Sequence, residues 1–165
     1  MKRFSRISMN IKIAVFDVDG TLTDGKINIG ANGEVFKAFD AKDGYGIAVI
    51  LREKGVEPMI ITGRESDIVK ERCGELGIEL LYQGVKDKVS VLDHVLRERN
   101  LSFDNVAYMG DDIPDLQCIK LAKVNGCPRN AVTEVKKYVK FICSRKGGDG
   151  AVREFIDWMV SQNMI

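Results

Sequence analysis

The sequence has little of what marks export, thiolate-bound metal or disulfide-stabilised folds. Its four cysteines, Cys73, Cys118, Cys127 and Cys143, lie far apart and form no CxxC pair. The pattern therefore predicts neither a zinc site nor a disulfide framework, and it is typical of reduced, structural thiols. The single histidine, His94, has no Cys or His partner at ligand spacing, so we expect it to be structural or exposed.

The chain also lacks an excess of charge and a long apolar run. It has 25 basic and 24 acidic residues, a formal net charge of +1, with the two signs interspersed. No global field therefore indicates nucleic acid or an acidic membrane as a partner. No apolar stretch approaches the ~18–20 residues of a membrane span, and none follows the basic segment Met1–Arg6. We expect no membrane partner and a cytoplasmic location.

The length and composition predict one globular domain over residues 1–165, since 45% of the residues are hydrophobic and 30% are charged. Apolar strand patterns alternate with helical ones, which indicates an α/β fold with an open parallel sheet covered on both faces. Strands are expected at 11–16, 57–61, 80–82 and 106–109, and helices at 43–54, 66–76, 86–99 and 150–162. A β-hairpin is predicted within about residues 25–40, around the turn Gly30-Ala31-Asn32-Gly33.

Polar residues follow three of the predicted strands at the point where each strand ends. These segments are Asp17-Val18-Asp19, Thr62-Gly63-Arg64 and Gly110-Asp111-Asp112. The carboxyl ends of parallel strands meet at one edge of a sheet, where ligands bind. Carboxylates gathered there repel one another unless a cation neutralises them, and oxygen ligands suit Mg²⁺. The sequence therefore predicts a magnesium site at this edge.

Such a site favours phosphoryl transfer. Once Mg²⁺ and a lysine neutralise a phosphate dianion, one aspartate can attack phosphorus and form an aspartyl-phosphate. Asp19, two residues after Asp17, can protonate the leaving alkoxide and later deprotonate the hydrolytic water.

These residues, in this order, resemble the four motifs of the haloacid dehalogenase superfamily, which has a Rossmann-like, three-layer fold. The resemblance implies that Asp17 is nucleophile and metal ligand, and that Asp19 is general acid/base and offers its backbone carbonyl to Mg²⁺. It also implies roles for Thr62 and Lys88 on the phosphoryl group, for Asp111 as metal ligand, and for Asp112 and Asp115 as supporting residues. Response-regulator receivers use similar residues, but their acidic pair comes first and their phosphorylated aspartate later, so the order excludes them.

The gaps between the motifs hold only the hairpin, one helix and one strand, which leaves no room for a cap domain. This plan, with Asp24-Gly25, Lys42–Gly46 and Gly147–Glu154, resembles the 3-deoxy-D-manno-octulosonate 8-phosphate phosphatase family. That resemblance implies a small phosphorylated sugar acid as substrate and a homotetramer with the hairpins as a central barrel, in which the C-terminal glycine-rich segment can reach a neighbour's site. The substrate residues it implies are Asp19, Asp40, Ala41, Lys42, Asp43, Gly44, Gly63, Arg64, Arg72 and Lys88.

Three alternatives stay open at this point. Related phosphatases act on nonulosonate 9-phosphates, and the chain departs from some octulosonate family members at Asp40 and Ala48, where they carry Asn and Arg. A phosphatase of other specificity, or a phosphotransferase, would use the same aspartyl-phosphate. A non-catalytic oligomerisation module, like some domains attached to cytidylyltransferases, would have lost catalytic residues, and this chain retains them.

Overall fold

The computed structural model describes residues 9–165 and places a six-stranded parallel sheet at the centre of the protein. The strands, in chain order, are β1 (Ile13–Phe16), β4 (Glu57–Ile61), β5 (Leu80–Tyr82), β6 (Val106–Met109), β7 (Val124–Cys127) and β8 (Phe141–Ile142). A separate antiparallel pair, β2 (Asn28–Gly30) and β3 (Gly33–Phe36), forms the hairpin. The sheet order is β5-β4-β1-β6-β7-β8, which places β1 between β4 and β6.

Helices cover both faces of the sheet. They are α1 (Ala41–Tyr45), which continues through a π-helical segment (Gly46–Ile50) into α2 (Leu51–Glu53), then α3 (Asp67–Leu76), α4 (Lys88–Glu98), α5 (Leu116–Leu121), α6 (Thr133–Lys136) and α7 (Ala151–Ser161). Short 3₁₀ turns occupy Phe103–Asn105 and Ile113–Asp115.

Side chains of β1 alternate between two hydrophobic cores. Phe16 packs in the core that includes Phe155 of α7, and Val15 packs in the core that includes Leu92 of α4. Successive residues of a strand point to opposite faces, so β1 must be apolar throughout to fill both cores. This arrangement confirms the predicted three-layer α/β fold.

Several predicted boundaries are shifted by local caps. The strands predicted at 57–61, 80–82 and 106–109 have these bounds in the structure, whereas β1, predicted to begin at residue 11, begins at Ile13. The first helix begins at Ala41, because the Asp40 side chain accepts hydrogen bonds from the N–H groups of Lys42 and Asp43. Helix α4 begins at Lys88, because Asp87 caps it by accepting from Ser90 N–H. Along residues 9–165, no helix combines the length and apolarity needed to cross a bilayer.

Two glycine positions test the packing of the fold. A Cβ on Gly126 of β7 would lie 2.8 Å from two ring carbons of the buried Phe155, so we expect Gly126→Ala to destabilise the protein by about 1–3 kcal/mol. A Cβ on Gly74 of α3 would meet no other described atom within 4 Å, so Gly74→Ala should stabilise it by about 0.5–1 kcal/mol. Urea unfolding of both variants measures this difference, and a Gly126→Ala protein as stable as the parent would contradict the packing.

Candidate active site

The chain turns sharply where β1 ends. Asp17 is the first residue beyond the strand, and its N–H donates to Met109 O of β6 at 3.1 Å. The Val18 carbonyl then accepts the N–H groups of Thr21, Leu22 and Thr23. This turn fixes Asp17, which is buried, at the carboxyl edge of the sheet.

Gly20 allows a close approach of Asp111 to this turn. Its φ of +94° lies in the left-handed region, and a Cβ at this position would lie 1.9 Å from Asp111 Oδ2. The Thr21 hydroxyl donates to the other oxygen of Asp111 at 3.4 Å. A side chain at position 20 would therefore displace the carboxylate of Asp111 as well as strain the turn.

Lys88, the first residue of α4, lies between two carboxylates. Its Nζ donates to Asp17 Oδ1 at 2.7 Å and to Asp115 Oδ1 at 2.8 Å, and the residue is only 5% exposed. Burial alone would lower the pKa of Lys88, but Asp17 and Asp115 outweigh it and raise the pKa above its usual value. Lys88 is therefore a charged ammonium inside the site and not a solvated helix lysine.

Asp115 organises the loop that follows β6. Its Oδ1 accepts from Lys88 and from the Tyr108 hydroxyl, at 2.8 Å each, and its Oδ2 accepts from the N–H groups of Asp111 (3.1 Å) and Asp112 (3.4 Å). A Cβ on Gly110 would lie 2.3 Å from Asp115 Cγ, so a glycine is needed there too. With four donors, Asp115 orients Lys88 and the loop.

The remaining acid groups are crowded. Oxygens of Asp17, Asp111 and Asp115 lie within 4.8 Å of one another. Burial, with repulsion from Asp115, raises the pKa of Asp17 to about 6. Burial, with repulsion from Asp17 and Asp115, raises the pKa of Asp111 to about 8. One lysine does not neutralise these three crowded carboxylates, so a divalent cation with a preference for oxygen ligands fits here.

Asp17 and Asp111 are the side chains best suited to hold that cation. The oxygens of Asp115 already accept four hydrogen bonds, although one of these oxygens belongs to the cluster by distance. Asp112 is turned outwards, where its Oδ1 accepts from Ile113 N–H at 2.7 Å. The role expected for the Asp19 backbone carbonyl stays a prediction.

A cleft of about 410 Å³ opens above this cluster. It is lined by Asp17, Asp19, Thr62, Gly63, Arg64, Val85, Lys86, Lys88, Asp111, Asp112, Pro114 and Asp115. Thr62 is buried at the end of β4, where its N–H donates to Tyr82 O at 3.0 Å and its carbonyl accepts from Val85 N–H. The structure thus brings together the residues predicted for catalysis, the metal and the phosphoryl group.

The chain is similar to known proteins in sequence and in fold. Residues 77–156 match the family model of haloacid dehalogenase-like hydrolases. The chain is 38% identical over 151 residues to the 3-deoxy-D-manno-octulosonate 8-phosphate phosphatase of Escherichia coli K12, covering 92% of this chain and 80% of that protein. The chain belongs to this phosphatase family.

Solved structures of the family support the fold. The cobalt-bound phosphatase of Haemophilus influenzae has a TM-score of 0.89 and 34% identity, over 94% of this chain and 90% of that one. The Moraxella catarrhalis enzyme, solved with magnesium, phosphate and a KDO molecule, has a TM-score of 0.89 and 35% identity, over 94% of this chain and 88% of that one. The predicted haloacid dehalogenase fold and family are confirmed.

A lysine on the hairpin side belongs to the site although the motifs do not include it. Lys37 Nζ lies 2.5 Å from Asp19 Oδ1 and 2.8 Å from Glu34 Oε1. Arg64 Nε approaches the other Asp19 oxygen at 4.0 Å. Sequence reasoning missed Lys37 because it follows a strand that is mostly exposed, and only its position one residue beyond Phe36 set it apart.

Other residues predicted for this family's substrate lie outside the cleft of their own chain. Asp40 caps α1, and Ala41, Lys42, Asp43 and Gly44 lie in that helix. Asp43 is buried and accepts from Arg153 N–H at 2.8 Å. Arg72 lies over the Phe39 ring at 5.6 Å and pairs with Glu75 at 3.0 Å. Their roles in substrate binding stay predictions. His94 is exposed, as expected.

The glycine-rich segment after β8 packs against its own chain. A Cβ on Gly147 would lie 2.0 Å from Gly20 O, and Gly148 N–H donates to Thr21 O at 3.3 Å. The segment therefore supports the turn that carries Asp17. The expectation that it reaches a neighbour's site stays a prediction.

The pKa of Asp111 makes stability depend on pH. Its folded value of about 8 lies above an unfolded value of about 4, so its contribution to stability is present below pH 4 and is lost as the pH rises to 8. In EDTA, the free energy of unfolding of Asp111→Asn relative to that of the parent should therefore be higher at pH 8 than at pH 5, by about 1 kcal/mol or more. Urea unfolding at both pH values measures it.

Added Mg²⁺ should reverse this advantage of the variant over the parent at pH 8. The parent should gain stability and Asp111→Asn should gain less, because a carboxylate must be deprotonated to bind the cation. The same variant difference at both pH values, with or without Mg²⁺, would contradict the assignment of Asp111.

Proposed function

We propose that this protein is a Mg²⁺-dependent phosphatase that hydrolyses 3-deoxy-D-manno-octulosonate 8-phosphate through an aspartyl-phosphate on Asp17. The observation that carries the proposal is the buried Lys88 ammonium, 2.7 Å from Asp17 Oδ1, beside the carboxylate of Asp111. A buried charge of this kind lets a carboxylate approach a phosphate dianion, which it would otherwise repel. Membership of the phosphatase family supports the substrate.

Mg²⁺ would be held by Asp17, Asp111 and the backbone carbonyl of Asp19, and when bound it supplies the positive charge that neutralises the phosphoryl oxygens. An Asp17 oxygen attacks phosphorus while the bond from phosphorus to the sugar oxygen breaks. Asp19 gives its proton to that leaving oxygen. Lys88 holds Asp17 in place, and the Thr62 hydroxyl donates to a phosphoryl oxygen.

The second half of the reaction restores the enzyme. Asp19, now a carboxylate, takes a proton from water, whose oxygen attacks phosphorus. The bond from phosphorus to Asp17 breaks, inorganic phosphate leaves, and Asp17 is again free. The same residue thus acts first as acid and then as base, because the second step is chemically the reverse of the first with water in place of the sugar hydroxyl.

The cleft supports a small sugar acid as substrate. Its volume of about 410 Å³ is in the range of small-molecule sites, and residues 9–165 contain no cap domain over it. Arg64 stands half-exposed at the cleft, and a guanidinium is suited to a carboxylate. An open site with a half-exposed guanidinium fits a phosphorylated keto acid.

The substrate is tested by phosphate release from 3-deoxy-D-manno-octulosonate 8-phosphate and from nonulosonate 9-phosphates, with Mg²⁺ or with EDTA. We expect Mg²⁺-dependent release, fastest from the octulosonate. Asp17→Asn should lower kcat by at least about 10³-fold with an unchanged fold, because no nucleophile remains. The half-exposed Asp93→Asn on α4, outside the cleft, is the matched control. Release from none of these sugars, or retained turnover in Asp17→Asn, contradicts the proposal.

We also propose that the protein works as a homotetramer built on its hairpins. Ile29 and Val35 are 69% and 60% exposed, and Phe36 beside them is exposed as well. Isolated two-stranded hairpins are marginally stable in water, and clustered exposed apolar residues mark interaction surfaces. The four free, buried cysteines support a reducing, cytoplasmic location, and neither nucleic acid nor membrane is proposed as a partner.

A charge placed on the hairpin tests the assembly. The double variant Ile29→Asp/Val35→Asp should dissociate the tetramer at micromolar concentration, because two buried apolar contacts per chain become charged. Ile142→Asp, at an apolar position outside the hairpin that is 47% exposed, should leave it intact. Sedimentation velocity measures both. A monomeric parent, or a tetrameric hairpin variant, would disprove this assembly.

A further inference from the structure

Lys37 is a buried cation outside the recognised motifs. Its side chain is only 1% exposed, and lysines are almost never fully buried unless they are paired. It is paired with two carboxylates, Asp19 at 2.5 Å and Glu34 at 2.8 Å. Burial would lower the pKa of Lys37, but these two partners raise it, so the ammonium stays charged.

Glu34 connects the same hairpin to the second loop of the site. The Ser66 hydroxyl donates to Glu34 Oε2, while Ser66 N–H donates to Gln83 Oε1 at 2.9 Å. Ser66 is the N-cap of α3, and its Oγ accepts from Val69 N–H at 3.4 Å. The Thr62-Gly63-Arg64 loop leads directly into this cap. The hairpin therefore contacts both the loop that carries Asp19 and the loop that carries Thr62.

The two oxygens of Asp19 face different surroundings. Oδ1 receives the buried Lys37, which comes from the hairpin side, and Oδ2 has Arg64 at 4.0 Å. Arg64 lines the cleft and is half-exposed. The ion pair with Lys37 thus fixes the rotation of the carboxyl group and leaves Oδ2 as the oxygen on the cleft side.

We propose that Lys37 is a positioning residue for Asp19: it holds Oδ1 so that Oδ2 carries the proton to the leaving oxygen, and Glu34 holds Lys37. This inference rests on the proposed phosphatase function. In the first transfer, the Oδ2–H bond breaks and the proton joins the leaving sugar oxygen, which takes the electron pair of its bond to phosphorus. In the second, Oδ2 receives a proton from the attacking water.

Substrates with different leaving groups distinguish a positioning role of Lys37 from a purely structural one. A sugar alkoxide needs a proton as it leaves, whereas p-nitrophenolate is stable without one. The ratio kcat/KM reports only the steps up to transfer of the phosphoryl group to Asp17, in which the sugar oxygen leaves. Lys37→Met should therefore lower kcat/KM for the sugar phosphate by about 10–100-fold. For p-nitrophenyl phosphate, the loss should be about 3-fold or less. Lys37→Arg should recover part of the loss, and the exposed hairpin variant Lys26→Met should show none.

A double variant tests whether Lys37 acts through Asp19. If it does, Asp19→Asn/Lys37→Met should be no slower on the sugar phosphate than Asp19→Asn alone, since coupled residues are non-additive. Equal losses on both substrates, or losses that multiply in the double variant, would overturn the proposal and leave Lys37 as a structural residue.

Two controls separate this result from other failures. Thermal unfolding of Lys37→Met shows whether the variant folds. If it does not fold, Glu34→Gln takes its place, and we expect the same preferential loss of activity on the sugar phosphate. An equal loss on both substrates would count against the proposal. If the parent protein releases phosphate from neither sugar acid but cleaves p-nitrophenyl phosphate, the proposed substrate has failed. The positioning role is then decided with any alkyl phosphate that the parent cleaves.

Discussion

The ammonium of Lys88 between Asp17 and Asp115 is the interaction on which the site depends. Three carboxylates lie within 4.8 Å of one another, and burial, together with their mutual repulsion, raises the pKa of Asp17 and Asp111. A buried ion pair that loses one partner typically costs about 3–5 kcal/mol, because a charge is left unpaired. Lys88 thus stabilises the fold through the same contact that would serve the proposed chemistry.

The sheet makes this contact possible. Asp17, Thr62 and Gly110 each follow the last residue of neighbouring parallel strands, so the backbone brings them to one edge. Asp115 then completes the arrangement, since its two oxygens hold Lys88, Tyr108 and the backbone of the loop. The pKa of Tyr108 is raised well above its usual value by burial, so it remains a hydrogen-bond donor. Rigid backbone geometry therefore prepares the charge pattern before any ligand arrives.

The sequence predicted the fold class and the cleft because both follow from periodic patterns. Apolar strands that run into acidic residues are visible in Val15 and Phe16 before Asp17, and in Met109 before Gly110-Asp111. What it could not predict arises from contacts distant along the chain. The π-helical segment Gly46–Ile50 breaks the 3.6-residue period, and the contact of Gly147 with Gly20 joins positions that no local pattern relates. The pairing of Lys37 with Asp19 is of the same kind.

The hairpin has an exposed apolar side and a side that is buried against the site. Its residues Val35 and Phe36 are exposed, whereas the next residue, Lys37, is buried against Asp19. A short pair of strands has little stability of its own, so its position must be set by contacts at both of its sides. On one side those contacts are the ion pair of Lys37 with Asp19 and the hydrogen bond from the Ser66 hydroxyl to Glu34. On the other side are exposed apolar side chains, for which the proposed assembly would supply partners. A hairpin free on its apolar side would move, and Asp19 would move with it. In the proposed tetramer and mechanism, assembly and proton transfer would therefore be linked through Lys37.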